Sequence, residues 1–322
     1  MSHNNNGSAC VKAKIVFALL CVLPSVRRLA AQAPQSTVRI SGYVQPRFQA
    51  IGDSASFLLR RARVAVEGNI TPWARARIQV EFRTWVTPTA GTSPAVQATD
   101  LYLALSQHHW TGTFGQFRVP LLRENLISST VLELADRTVG SDLIAPFRDI
   151  GAMAAWTDGR VAVAVAMTNG EGANVAKIKD NKFMYAERAT VALGRGLDLG
   201  VAAEELTDTS RWTADGEWKQ GRLLARGGYL RLHRRVTQTN ATAWYGLAGY
   251  AVRPERLQVV ARVESYDPSD AVGGDATMAY TAGAQVLFKG DDLKLQASYG
   301  IYHEQGPQIK NNRLVVQMQA RF

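Results

Sequence analysis

From Thr37 to the last residue the chain is built of short runs whose side chains alternate between apolar and polar. In a β-strand successive side chains point to opposite faces, so this pattern predicts strands with one apolar and one polar face. Val38, Ile40, Val44 and Phe48 oppose Arg39, Ser41, Tyr43, Gln45, Arg47 and Gln49. Ala74, Ala76, Ile78, Val80 and Phe82 oppose Arg75, Arg77, Gln79, Glu81 and Arg83. The pattern returns at 101–105, 257–264, 293–302 and 313–322. Short turn signals such as Asp158-Gly159, Gly194-Arg195-Gly196 and Gly290-Asp291 separate the runs at one end, and longer polar connections separate them at the other. The count is about sixteen strands, on the alternation rule.

A soluble β-sandwich also alternates. The strand number, the even spacing and the terminal aromatic Phe322 favour a closed transmembrane antiparallel barrel. An even strand count brings both ends of the barrel to the short-turn side. A final alternating strand ending in Phe322 suits recognition by the barrel assembly machinery.

The first thirty-three residues are set aside from the fold. Lys12 and Lys14 precede the apolar run Ile15–Leu23, and Ala31-Gln32-Ala33 fits a small-x-small cleavage rule, so 1–33 reads as a cleaved signal peptide and 34–322 as one barrel domain. The apolar run is too short for a spanning helix. Both cysteines, Cys10 and Cys21, fall in this leader, so no disulfide framework is expected in the barrel. The chain carries a formal net charge of +10.

Alternation fails in one long interval, Gly115–Gly151. It is too apolar and too sparing of Gly for a disordered linker. Residues 120–148 leave and re-enter the wall at the long-loop rim, and they read as a third loop folded into the lumen that narrows it.

If the apolar faces meet lipid, then Arg39, Arg47, Arg61, Arg63, Arg75, Arg77 and Arg83 point inward. Arginines lining a narrow aqueous path focus a positive potential and favour anions, whose oxygens they hold bidentately. Mixed charges that merely keep a pore wet are the plainer alternative. Arg60 and Arg61 are adjacent, and strict alternation sends one of them into lipid at a cost of about 2–4 kcal/mol. Either a β-bulge turns both inward, which is the favoured reading, or Arg60 lies near a rim and snorkels.

The runs FLLRRARVAVEGNITPWARARIQVEF, GQFRVP, REN-x-x-SS, LADR and PFRDIG resemble the phosphate-selective porin O/P family. That resemblance extends over the whole chain after the leader and is densest from Phe57 to Trp156. It implies a sixteen-stranded outer-membrane porin, commonly trimeric, with an arginine ladder and an inward third loop forming an anion-binding constriction. Carried over, Arg60 and Arg61 are the paired arginines, Ser128 and Ser129 the loop serines, and Asp100 an acidic group that orients Arg. Arg137, Arg148 and Asp149 match the end of the loop and would anchor it. Tyr43 stands where relatives carry Arg, and Asn125 where they carry a loop Lys. These departures remove two cations and favour a small-anion path over a phosphate-specific one.

The expected function is passive diffusion of small anions, phosphate and polyphosphate among the candidates, across a Gram-negative-type outer membrane. Arg60, Arg61, Arg63, Arg75 and Arg77 would supply the field, and Arg47, Arg118 and Arg226 would extend it. Partners would be the transported anions, outer-membrane lipids, the assembly machinery and two further copies in a homotrimer. A structural or adhesive barrel plugged by its own loop is the alternative, followed by a lipid-active enzyme. No catalytic constellation, cofactor motif or metal-ligand cluster stands out, since His108, His109, His233 and His303 come without one. No aromatic platform for nucleic acid accompanies the arginines.

Overall fold

A computed structural model describes residues 37–83, 95–178 and 181–322. The leader read at 1–33 lies outside the described residues, as does most of the connection after Arg83. Sixteen antiparallel strands form one closed barrel, each paired with its neighbours in sequence, and β1 closes on β16. The strands are β1 (Val38–Ile51), β2 (Ser54–Thr71), β3 (Ala74–Glu81), β4 (Gln97–Gln107), β5 (Trp110–Arg118), β6 (Arg148–Asp158), β7 (Val161–Thr168) and β8 (Met184–Gly194). They continue with β9 (Leu197–Leu206), β10 (Thr209–Gln220), β11 (Leu223–Arg234), β12 (Thr239–Arg253), β13 (Leu257–Asp267), β14 (Thr277–Lys289), β15 (Leu293–Glu304) and β16 (Arg313–Arg321). Closure leaves no strand edge with unpaired backbone groups, which an apolar solvent requires. At the seam Gly42 and Phe322 exchange two backbone hydrogen bonds of 3.0 Å, and the Phe322 ring lies against Gly42 on the outer face.

The expected alternation governs the wall. Val38, Ile40, Val44, Ile78, Leu101 and Leu103 are exposed on the outside, whereas Gln45, Arg47, Arg61, Gln79, Gln317 and Gln319 are buried on the inside. The bulge expected at the paired arginines is present. Gln45 pairs with Arg61 and Pro46 with Leu59, so Arg60 is the extra residue. Pro46 has no N–H to give a ladder bond, which makes this the least costly place for the irregularity.

Between β5 and β6, residues 119–147 form the long connection, with two short helices, α1 (Arg123–Leu126) and α2 (Val139–Ile144). Thr138 caps α2 by accepting from the Ser141 amide at 3.2 Å. The segment meets inward side chains of many strands. Arg47 of β1 donates to the Ala135 carbonyl, Arg262 of β13 to the Asp136 carbonyl, Gln296 of β15 to the Leu132 carbonyl and Gln319 of β16 to the Thr130 carbonyl. Its apolar residues Val119, Leu121, Leu122 and Ile144 cluster with Met184, Ala186, Leu230, Leu232, Ala241 and Ala243 of β8, β11 and β12. The barrel therefore holds a small internal core, in which each fully buried leucine contributes about 1.5–3 kcal/mol. The link between β9 and β10 is short, since strand pairing resumes at Thr209 opposite Leu206.

A concavity of about 850 Å3 opens among outward residues such as Trp218, Tyr280 and Tyr299 over Gly216, Gly227 and Gly246. It belongs to the apolar exterior and not to the lumen chemistry.

Candidate functional site: the lumen wall and its internal segment

The inward arginines fall into two groups. One group is engaged by the internal segment. Arg47 donates to both Asp136 carboxylate oxygens, at 2.8 and 3.0 Å, and Arg60 and Arg313 approach the same carboxylate at 3.6 and 3.7 Å. Burial alone would push Asp136 upward, but Arg47, Arg60 and Arg313 outweigh it and hold the carboxyl below its ordinary value of 3.8. Arg226 forks onto Glu133 at 2.8 and 3.1 Å and also meets Glu217 at 2.6 Å. Arg262 pairs with Glu264 at 2.8 Å, and Glu264 accepts from the Val139 amide at the start of α2. Arg123 of α1 and Arg188 of β8 share Asp215, each at 2.7 Å.

The other group stands along β3–β5. Arg77 bridges Glu67 at 3.0 Å and Asp100 at 3.3 Å, and Arg75 lies 3.7 Å from Glu67 with its side chain 46% exposed. Asp100 also receives Arg148 at 2.7 Å, in keeping with an orienting acidic group. Arg118 donates to the carbonyls of Asn125 and Leu126, with no carboxylate within ion-pair distance among the described residues. Together with Arg188, these arginines border a cavity of about 640 Å3 between the internal segment and the β3–β8 wall. Four guanidiniums, of Arg75, Arg77, Arg118 and Arg188, face it against one carboxylate, Asp100.

The sequence candidates are thus dispersed. Arg75, Arg77, Arg118 and Asp100 meet at this cavity, whereas Arg47, Arg60 and Arg226 are tied to the segment's acids. Arg61 is buried on Gln45, whose side-chain oxygen it meets at 2.9 Å, and Arg63 pairs with Glu81 at 2.8 Å. Arg39 lies at the exposed start of β1. Ser129 is buried with its hydroxyl 2.9 Å from Tyr43, and Ser128 bonds Thr130 at 2.9 Å. Neither serine borders the cavity. Tyr43, which stands where relatives carry Arg, therefore serves the segment as a hydroxyl partner, and Arg63 sits over its ring at 5.9 Å. Asn125 is buried and accepts from the Ser141 hydroxyl. Arg137 donates to the Glu124 and Ile127 carbonyls and packs over Phe147, so it braces the segment internally. Asp149 accepts from the Thr168 hydroxyl and the Gly170 amide, which ties β6 to the end of β7 and not to the segment itself.

Residues that sequence reasoning passed over include Asp136, Glu133, Arg188 and Arg313. Arg188 carried a signal, since it shares a face with Ala186 and Thr190 in a clean alternation. Asp136 stood in the LADR run of the resemblance but, like Glu133, had no periodicity to orient it, being an acid inside an irregular segment.

The closed sixteen-stranded barrel defines the class of protein as an outer-membrane porin of a Gram-negative-type bacterium. The family model for phosphate-selective porin O and P matches residues 171–322, which bears out the resemblance over the second half of the barrel. That half lies beyond the Phe57–Trp156 region where the sequence resemblance is densest. No curated protein matches the chain in sequence. Among solved structures the chain is similar to OmpT of Vibrio cholerae in its trimer form, with a TM-score of 0.67, 11% identity and coverage of 89% of this chain and 99% of that one. It is also similar to the outer membrane channel DcaP of Acinetobacter baumannii (TM-score 0.66, 12% identity, coverage 91% and 100%). A third similar structure is the anion-selective porin from Comamonas acidovorans (TM-score 0.66, 12% identity, coverage 89% and 100%). At these identities the likeness is one of fold.

Proposed function

We propose that the porin passes small anions in preference to cations, and that residues 119–147 act as its constriction element. The single observation that carries this reading is the charge lining the cavity beside the segment, where Arg75, Arg77, Arg118 and Arg188 stand against Asp100, with Glu67 and Asp215 as further partners and Arg118 held by backbone carbonyls. A fixed excess of positive charge in a narrow aqueous path raises the local anion concentration and repels cations. Arg226 on Glu133 and Glu217, and Arg262 on Glu264, are matched by carboxylates, so they hold the segment and add little to the field. Likeness in fold to an anion-selective porin agrees with this reading. The same proposal includes cleavage of 1–33, a homotrimer, insertion by the assembly machinery through the strand ending in Phe322, and an annulus of outer-membrane lipid. Phosphate enters as one anion among others, since Ser128 and Ser129 are occupied within the segment and wall.

Paired substitutions test the assignment in planar bilayers. Arg75→Ala with Arg77→Ala should lower the chloride-to-potassium permeability ratio severalfold, and Arg60→Ala with Arg61→Ala should lower it less. The reverse order would move the selective site to the segment side. A plugged structural barrel remains the second reading, favoured by the internal core of Val119, Leu121, Leu122 and Ile144, and negligible conductance of folded protein would select it.

A further inference from the structure

Among the described residues, the inward face of this barrel carries apolar patches that the internal segment covers and one that it leaves open. The patch on β8, β11 and β12, which includes Leu230 and Leu232, is buried beneath the internal segment, and Leu134 of the segment packs on Leu224, Leu247 and Val260. The open patch lies on β6 and β7. Strand β7 reads VAVAVAMT, with valines outward and alanines inward, so it is apolar on both faces. Register places Met153 beside Ala166, Ala155 beside Ala164 and Thr157 beside Ala162 on the inner face. Met153, Ala155, Ala162 and Ala164 are only half-buried and border the cavity of about 640 Å3. A path meant only for hydrated inorganic ions gains nothing from an aliphatic wall, which cannot replace lost hydration.

The cations flank this wall. Arg188 of β8 pairs across to Ala164 on one side, and Arg118, Arg75 and Arg77 stand on the other. We infer that the cavity selects organic anions with an apolar body, such as aromatic or branched aliphatic monocarboxylates, over inorganic anions of equal charge. The carboxylate would meet the guanidiniums of Arg118 and Arg77, and the body would lie against Met153, Ala155 and the β7 alanines. This rests on the anion-channel reading and names its solute class. The site is not a tight one, because passage needs weak binding.

The test is block of chloride current through single channels by benzoate, acetate and inorganic phosphate. Benzoate should block at a concentration about tenfold lower than acetate, since the two carry the same carboxylate and charge and benzoate adds apolar area. Ala162→Asn and the milder Ala164→Ser place polar atoms on the patch and should bring benzoate toward acetate, with the chloride-to-potassium ratio unchanged. Equal block by benzoate and acetate in the wild-type channel, with anion preference intact, would overturn the inference and leave the channel reading standing. Cation preference in the wild type would instead remove the reading beneath it.

Discussion

At the scale of single residues, the decisive group is Asp136. A carboxylate that gathers Arg47, Arg60 and Arg313 decides which arginines face solute and which hold the segment. Asp136→Asn leaves the buried Arg47 without its counter-charge and should cost about 2–3 kcal/mol at neutral pH. The pH dependence has a fixed sign. The carboxyl is held below 3.8, so its contribution is complete above that value and is lost as pH falls through the lowered one. The unfolding midpoint of wild type in detergent should exceed that of Asp136→Asn at pH 7, and the gap should narrow as pH falls below 3.8. A gap that stays constant with pH would show that the pair does not titrate in this way. The pair Arg60-Arg61 was legible in sequence, because two adjacent arginines break the alternation and demand a bulge. The acid that Arg60 meets was not, because Asp136, in a distant irregular segment, leaves no trace in local periodicity.

At the scale of elements, the internal segment is held by close packing as well as by charge. Gly140 of α2 sits so near β12 that a Cβ there would fall 2.2 Å from the Cβ of Ala243. Gly140→Ala must push α2 off the wall, at a cost of about 1–3 kcal/mol. It should also change single-channel conductance, whereas Gly159→Ala, at an open turn with nothing within 4 Å, should leave conductance unchanged. Unaltered conductance in Gly140→Ala would mean that the position of α2 does not set the path. Strands were read well from alternation, because each must match a lipid-facing and an inner environment. The phase of β11 was harder. Arg226, Leu230 and Leu232 all point inward, while Arg231 is exposed on the outside. That arrangement makes sense only once Leu121 and Leu122 supply an apolar partner inside the barrel. Expecting a wholly polar lumen fails wherever a segment of the chain fills it.

At the scale of the whole molecule, the barrel divides its interior between two walls. The segment leans on β1 and on the strands from β8 to β16, where its carbonyls, acids and leucines find partners. Space remains along β3–β8, where arginines and alanines share the lining. Fold class and strand number followed from period and turn spacing, and the loop's existence followed from the failure of that period. The side toward which the segment leans did not follow, because it depends on pairings between distant residues. Selectivity belongs to this scale, since it sums fixed charge over the open wall. Its most direct measure is the zero-current potential of the wild-type channel in a planar bilayer across a potassium chloride gradient. The account predicts the sign set by chloride, and a potential of the sign set by potassium would contradict it.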